Sequence, residues 1–290
     1  MIDLHMHTTA SDGRSTPEEL VKQAYDAGIR TMSVTDHDTM GGVECAAAAA
    51  AELGMTFVPG IEITSVHGGK DVHVLAYFLP ELSEALRDLL SEQRRNRLER
   101  ARLISERLAA VGAPIDMDAL MEAGAALGGK SLARPQIAQA LIAAGHASSV
   151  AEAFEKYLSE DGPAYVPHRG ASPSEVVDLI GQAGGVSSLA HPGYTKKDEI
   201  IPDLVAAGLT AIEAYHSSHD ADMVQRYLAA ARTHGLAVSG GSDFHGVGAR
   251  RSEFFGVTNL PAQDFEVLRE RASRTRGNAA LRLGMAWGIA

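Results

Sequence analysis

Short apolar segments alternate with alanine- and leucine-rich helical segments along most of the chain, and this alternation constrains the fold more than any other feature. Such βα alternation predicts a parallel sheet covered by helices. Seven or eight units of this kind would close the sheet into a TIM-like barrel. Strands are expected at residues 1–4, 31–35, 56–60, 72–79, 185–190, 211–214, 237–239 and 255–258.

The alternation is interrupted between residues 81 and 165, where no convincing strand pattern occurs and helical patterns follow one another. We therefore expect a discontinuous α/β barrel domain, residues 1–80 plus 166–275, with a helical insertion domain at 81–165. Residues 276–290 are expected to form a C-terminal tail. The Gly-Gly pairs at 68–69 and 240–241 are interpreted as turns, since neither fits a phosphate-binding loop.

The composition is that of an ordinary globular protein, with 290 residues, 45% hydrophobic and 22% charged. The single cysteine, Cys45, excludes a disulfide framework, and we expect it in the core because free thiols are usually buried. There is no apolar run of transmembrane length and no signal-peptide pattern at the N-terminus. The sequence thus predicts a cytoplasmic protein without membrane contact.

Histidines and carboxylates are concentrated where the predicted strands end. In a strand, residues i and i+2 share a face, so the two histidines of an H-x-H pair can bind one metal ion. One such pair alone is weak evidence, and ordinary polar loops are the alternative for each residue. Their joint occurrence at the catalytic end of a barrel predicts a metal site. The candidate ligands are His5, His7, Asp12, His37, Glu62, His73, His191, Asp243 and His245.

Further residues are candidates for catalysis or substrate binding. His216 and Asp38 lie near strand ends, and His216 could protonate a leaving oxygen or hold phosphate. Arg134 precedes a proline at a predicted helix start, where the positive end of the helix favours anions. A surface role is the alternative for Arg134, His216 and His219, and a core or surface role is the alternative for Lys156 and Tyr157. The candidates for substrate binding are Arg134, Lys156, Tyr157, His168 and His219.

The ordered motifs HMHTTASDG, VTDHDT, PGIEIT, HVLAYF, LAHPG and GGSDFH resemble those of the PHP (polymerase and histidinol phosphatase) family. The helical insertion is similar to that of a subfamily acting on nucleoside 3′,5′-bisphosphates and on the 5′ ends of short RNAs. The resemblance implies a distorted (β/α)7 barrel with a trinuclear site. It implies three ligand sets, namely His5, His7, Glu62 and Asp243; Glu62, His73 and His191; and Asp12, His37 and His245.

The expected activity is that of a metal-dependent phosphoesterase, a phosphatase or 5′-to-3′ exonuclease that uses a metal-bridging hydroxide. Two or three divalent ions would be bound, and His/carboxylate ligands suit Mn²⁺, Fe²⁺ or Zn²⁺. The expected partners are a small nucleotide or a short RNA 5′ end, without stable duplex DNA binding, and a monomer is expected. A histidinol-phosphate-type phosphatase and a non-catalytic metal-binding module are the alternatives.

Overall fold

The structure is a computed structural model that describes residues 1–79, 81–126, 134–249 and 251–282. Within these residues one sheet of seven strands runs in chain order. The strands are β1 (Ile2–Asp3), β2 (Thr31–Val34), β3 (Thr56–His67), β4 (Lys70–Tyr77), β5 (Val186–Leu189), β6 (Ala211–His216) and β7 (Ala237–Gly241).

Helices follow most of these strands, as the alternation predicts. The first compact unit comprises Met1–His67, Asp71–Arg87 and the described chain from Ala171 onward, and the second comprises Gly68–Lys70 and Asp88–Gly170. The helices are α1 (Pro17–Asp26), α2 (Val43–Glu52), α3 (Glu84–Ala110), α4 (Met117–Ala126), α5 (Arg134–Ala143), α6 (Val150–Ala153), α7 (Pro173–Gln182), α8 (Pro192–Thr195), α9 (Ile201–Ala206), α10 (Ala221–His234) and α11 (Ala262–Arg282).

The sheet closes on itself where β7 meets the chain segment that follows β1. The Leu4 N–H donates to the Gly240 carbonyl at 3.1 Å, and the Asp243 N–H donates to the His5 carbonyl at 2.8 Å. The His7 N–H donates to the Phe244 carbonyl at 2.9 Å. These bonds close the predicted barrel, and they bring the chain after β1 beside the chain after β7.

The sheet is mixed, and the expectation of a wholly parallel sheet is wrong at β4. Strands β1 to β3 pair in parallel, as do β5 to β7, whereas β4 pairs antiparallel with β5. Gly68 and Gly69 between β3 and β4 both have positive φ, at 59° and 77°. Two such residues form the tight turn of a β-hairpin. The chain therefore reverses after β3, where the barrel pattern would place a crossover helix.

Helices α1 and α2 cover the first strands through a continuous apolar core. Helix α1 begins with a capping box in which the Thr16 hydroxyl accepts from the Glu19 N–H and the Glu19 carboxylate accepts from the Thr16 N–H. Leu20, Val21 and Ala24 of this helix are buried. The cap and Pro17 set where the helix starts, so its apolar face falls on the sheet.

Three smaller expectations are wrong. Residues 255–258 form no strand, since a short 3₁₀ turn at Ser252–Phe254 is followed by turns. Cys45 is exposed, because the buried face of α2 consists of Ala46 and Ala50. Gly240 and Gly241 lie within β7 and form no turn. Among the described helices, none is long and apolar enough to cross a membrane.

The second unit is helical and has its own apolar core. Ile104 and Leu108 of α3 pack in one buried cluster with Ile137 and Leu141 of α5. Helix α6 continues into a π-helical turn at Phe154–Leu158, closed by the Ser159 N–H donating to the Phe154 carbonyl at 2.8 Å. Isolated π-turns of this kind often occur at functional sites. This turn carries two of the predicted substrate-binding residues, Lys156 and Tyr157.

Closure of the barrel gives the first prediction. A Cβ atom on Gly241 would lie 2.4 Å from both the Cβ and the backbone nitrogen of His5, so Gly241→Ala should lower the free energy of unfolding by about 3 kcal/mol or more. Gly181 lies inside α7 and has open space around the position that a Cβ atom would take, so the matched control Gly181→Ala should raise it by about 0.5–1 kcal/mol. Urea denaturation measures both. Equal changes in the free energy of unfolding for the two variants would contradict the close approach of β7 to the segment after β1.

Candidate metal centre

The predicted ligands converge at one end of the barrel. Each belongs to a strand or to the segment that follows one. Glu62 lies within β3 and His73 within β4, and the other predicted ligands follow a strand: His5, His7 and Asp12 follow β1, His37 follows β2, His191 follows β5, and Asp243 and His245 follow β7. Overlapping groups of three or four side chains, which include His216 but not His191, place their ligand atoms within 4.8 Å of one another. The groups are His7, Asp12, His37 and His245; His5, His216 and Asp243; His5, His7 and Glu62; and His37, Glu62 and His73.

The carboxylate of Glu62 lies at the centre of this convergence and is almost completely buried. Its Oε1 atom is 2.9 Å from His73 Nδ1 and 3.0 Å from His191 Nε2. Its Oε2 atom faces a different set of rings, at 3.1 to 3.3 Å from nitrogens of His37, His5 and His7. The two oxygens of one carboxylate therefore divide the histidines into two sets. This is the arrangement expected of a carboxylate that bridges two cations.

Asp12 forms a second focus with three histidines. Its Oδ1 atom is 3.3 Å from His245 Nε2 and 3.7 Å from His7 Nδ1, and its Oδ2 atom is 3.8 Å from His37 Nε2. The rings of His7 and His245 stack with their centroids 4.0 Å apart. His7 thus faces both Asp12 and Glu62, through its two different nitrogens.

Asp243 contributes the third carboxylate and joins His216 to the cluster. Asp243 Oδ1 is 3.2 Å from His7 Nε2 and 3.5 Å from His5 Nε2, and Asp243 Oδ2 is 3.5 Å from His216 Nε2. The sequence places His216 among catalytic candidates, as an acid or a phosphate ligand. The structure places it among the groups that could hold a metal ion.

Several of the ligand-type atoms of this cluster lack the hydrogen bonds that buried polar atoms normally make. Unpaired buried groups cost free energy, and most such groups in native proteins are paired. Six such atoms among the described residues belong to this one cluster, and a set of imidazole and carboxylate donors suits divalent first-row metals. The donor set therefore fits divalent cations. The atoms without a hydrogen-bond partner include His5 Nε2, His7 Nδ1 and Nε2, His37 Nδ1, Glu62 Oε2 and His216 Nε2.

The histidines of the cluster keep the neighbouring carboxylates ionised by lowering their pKa values. Burial favours the neutral form of Glu62, but His37, His73 and His5 outweigh it and hold the pKa of Glu62 well below its ordinary value. Burial would lower the pKa of His73, yet the Glu62 carboxylate raises it to about 9. His73 therefore carries a proton at neutral pH, and because a metal-ligating imidazole must be neutral, metal binding would displace that proton.

Glu213, which sequence reasoning missed, supports two of the candidate ligands from inside the barrel. His5 Nδ1 donates to Glu213 Oε1 at 2.9 Å, and the His191 N–H donates to Glu213 Oε2 at 2.7 Å. A carboxylate behind a ligating histidine fixes its tautomer and leaves Nε2 for the metal. The sequence feature that could have identified Glu213 is a charged residue in the middle of β6 (Ala211–His216), whose other residues are mostly apolar and buried.

Two more carboxylates brace the backbone around the cluster. Asp36 accepts hydrogen bonds from the Thr8 N–H at 2.7 Å, the Thr8 hydroxyl at 2.7 Å and the Ser11 hydroxyl at 2.6 Å. Asp3 accepts from the His5 N–H at 3.2 Å and the Ser242 N–H at 3.0 Å, and burial raises its pKa to about 6. These contacts fix the segments that carry the ligands of β1 and β7.

Asp38 and His219 both make hydrogen bonds to backbone groups, and their predicted chemical roles stay predictions. Asp38 accepts from the Thr64 N–H at 2.8 Å and the Thr64 hydroxyl at 2.9 Å, so it joins the loop after β2 to β3. His219 Nδ1 donates to the Ala214 carbonyl at 2.8 Å, and its Nε2 accepts from the Gly193 N–H at 3.1 Å. Both ring nitrogens of His219 are therefore hydrogen-bonded to backbone groups.

The other predicted substrate residues lie in the second unit. Arg134 donates to the Leu158 carbonyl at 3.4 Å, and its guanidinium carbon lies 5.7 Å from the Phe154 ring centroid. Lys156 is exposed and pairs with Glu152, Tyr157 packs against the helical core, and His168 is buried. Their roles in substrate binding stay predictions.

The position of Glu213 gives a prediction about metal affinity. Glu213→Gln keeps the size of the side chain but removes the charge that orients His5, so Mn²⁺ affinity should fall about 10- to 100-fold. Titration calorimetry of chelator-treated protein measures it. The control Asp178→Asn alters a surface carboxylate that pairs only with Gln182 among its described neighbours, and it should leave the affinity unchanged. Wild-type affinity in Glu213→Gln would show that the contact does not support metal binding.

Comparisons with known proteins agree with this geometry. The model of the PHP domain family matches residues 3–159. A protein of Chromobacterium violaceum named 3′,5′-nucleoside bisphosphate phosphatase is 34% identical over 94% of this chain and 97% of its own length. The 5′-3′ exoribonuclease Rnm of Escherichia coli is 34% identical over 84% of each chain.

Solved structures give the same result. An amidohydrolase from Chromobacterium violaceum, crystallised with bound sulfate and no metal, is 35% identical with a TM-score of 0.78 over 93% of this chain and 96% of its own. A Bifidobacterium adolescentis protein, provisionally described as a metal-dependent phosphoesterase, is 32% identical with a TM-score of 0.79 over 93% and 95%. The resemblance seen in the motifs is thereby confirmed, and this chain belongs to the PHP domain family.

Proposed function

We propose that this chain is a metal-dependent phosphoesterase that releases phosphate from small nucleotides such as 3′,5′-bisphosphonucleosides, or that removes nucleotides from the 5′ end of short RNA. The observation that carries the proposal is the position of Glu62, whose two oxygens face separate sets of histidines. A site that holds more than one divalent cation around one carboxylate is suited to phosphoester hydrolysis.

The metal complement of the proposal is two or three divalent ions, with Mn²⁺, Fe²⁺ and Zn²⁺ as the candidates. Such ions, when bound, lower the pKa of water toward neutrality and offset the negative charge of the phosphate oxygens. The protein supplies the rest. Glu62, Asp12 and Asp243 anchor three foci, and Glu213 orients His5 so that its Nε2 atom points into the cluster.

His216 has two candidate roles under this proposal, as general acid and as metal ligand. Its Nδ1 atom is 2.7 Å from the Ser218 hydroxyl, and its Nε2 atom faces Asp243 Oδ2 at 3.5 Å. The Ser218 N–H also donates to Nδ1 at 3.1 Å, so a neutral ring held in this way carries its proton on Nε2. His216 is therefore a candidate for the general acid through Nε2, and it would bind a metal ion through the same atom only after losing that proton.

The substrate class follows from the names of relatives. The Chromobacterium violaceum and Escherichia coli relatives are named for a nucleoside bisphosphate and for RNA, and each is 34% identical to this chain, over 94% and 84% of its length. Both names describe the hydrolysis of a phosphoester bond in a nucleotide or in RNA. We extend that class to this chain, and we further propose a monomeric cytoplasmic enzyme that does not bind duplex DNA stably.

The proposed function predicts Mn²⁺-dependent phosphate release. The substrates are adenosine 3′,5′-bisphosphate, AMP, histidinol phosphate and a 5′-phosphorylated RNA trimer, assayed for phosphate and for nucleotide products. We expect turnover of the bisphosphate or the RNA, and a loss of at least about 10³-fold in kcat/KM for Asp243→Ala, since a ligand of the cluster is removed. Asp178→Asn should retain full activity.

The same assay separates the alternatives. A preference for histidinol phosphate would contradict the nucleotide assignment, although not the phosphoesterase class. Metal binding without turnover of any of the four substrates would favour a non-catalytic metal-binding module.

A further inference from the structure

Arg251 lies beside the metal centre but belongs to none of the ligand groups. Its Nη1 atom is 3.7 Å from Asp243 Oδ2, and its side chain is only 17% exposed. Among the described residues, Asp243 is the only carboxylate within ion-pair distance of this guanidinium. A separation of 3.7 Å is too long for a hydrogen bond. Arg251 therefore lies beside the cluster with a carboxylate close by but without a hydrogen bond to that carboxylate.

The backbone and one aromatic ring hold Arg251 in this position. Arg251 has a φ of 64°, in the left-handed region that residues other than glycine seldom adopt. Its guanidinium carbon lies 5.4 Å from the ring centroid of Tyr194, within the range of a cation–π contact. The Tyr194 ring also meets His191 edge-on, with centroids 5.8 Å apart at 83°. Tyr194 therefore connects Arg251 to the ligand cluster.

The charge of Asp243 determines whether Arg251 is available to a second anion. Asp243 also faces His5, His7 and His216. A cation bound by Asp243 and these histidines would offset the negative charge of the Asp243 carboxylate. The attraction between Asp243 and Arg251 would then weaken, and the guanidinium could pair with another anion. A phosphate oxygen close to that cation would lie within reach of Arg251. The planar guanidinium matches two phosphate oxygens at once, which a lysine cannot do.

We propose that Arg251 binds the phosphoryl group of the substrate, and that Tyr194 positions it. This inference rests on the proposed function, since it names the residue that would receive the phosphate at the same metal centre. No covalent step is involved, because Arg251 exchanges one anionic neighbour, Asp243, for another.

Inorganic phosphate is the probe, because its binding can be measured without turnover. Equilibrium dialysis of radiolabelled phosphate against the Mn²⁺-loaded protein should show at least about tenfold weaker binding for Arg251→Ala, and partial recovery for Arg251→Lys. Mn²⁺ affinity, measured separately by calorimetry, should change less than about threefold, since Arg251 is not a ligand. The activity of Arg251→Ala should fall more than its phosphate affinity, because charge builds up in the transition state.

A second arginine offers a matched control. Arg30 lies 4.1 Å from the ring centroid of Tyr25 and directly precedes β2, at the opposite end of the strand from His37. Arg30→Ala removes a comparable cation–π pair and should leave phosphate binding unchanged. For the positioning role, Tyr194→Ala should weaken phosphate binding about three- to tenfold, whereas Tyr194→Phe keeps the ring and should bind as the wild type does.

Two results would overturn the inference. Wild-type phosphate affinity in Arg251→Ala would show that the guanidinium does not receive phosphate. A tenfold loss of Mn²⁺ affinity in the same variant would show that Arg251 acts by supporting Asp243. Phosphate binding and turnover are measured separately, so the inference and the proposed function can fail independently. If the wild-type protein hydrolyses none of the four substrates but binds phosphate through Arg251, the proposed function is wrong and the anion site is retained.

Discussion

The burial of one carboxylate among five histidines is the constraint on which the rest of the site depends. Glu62 is fully buried, and its two oxygens face different sets of rings. Such a concentration of ionisable groups away from water is costly unless the charges are matched. Divalent cations bound between these groups would match them. The surrounding structure, from the Asp36 and Asp3 braces to the Glu213 contact with His5, keeps the ligand atoms in place before any cation binds.

Much of the fold could be predicted because barrel strands and their helices have separate sequence signatures. The capping box at Thr16 and the proline after it define the start of α1 in the sequence as well as in the structure. The turn expected at Gly68 and Gly69 is present, but the sequence pattern indicated that β3 ends near residue 60. The turn was therefore not identified as the hairpin that reverses the chain into β4. The role of Gly241 could not be predicted either, because glycine occurs both in turns and in strands that approach another chain segment closely.

The site was predictable to the extent that most of its candidate ligands follow a strand, although Glu62 and His73 lie within β3 and β4. Position within the barrel brings His5, Glu62 and Asp243 together, and this position can be counted along the sequence. Glu213 could not be found in that way, because a buried carboxylate inside a strand has no local pattern that reveals its partner. The roles of Asp38 and His219 depend on hydrogen bonds to Thr64, Gly193 and Ala214, and residue type alone does not report such contacts.

Anomalous diffraction from crystals grown with Mn²⁺ would test the central claim most directly. A bridging role for Glu62 predicts at least two manganese peaks, one about 2 Å from each carboxylate oxygen. The peak at Oε1 should also contact His73 and His191, and the peak at Oε2 should contact His5 and His7. A single peak that leaves one oxygen of Glu62 without a cation, or no peak at Glu62 at all, would contradict the account.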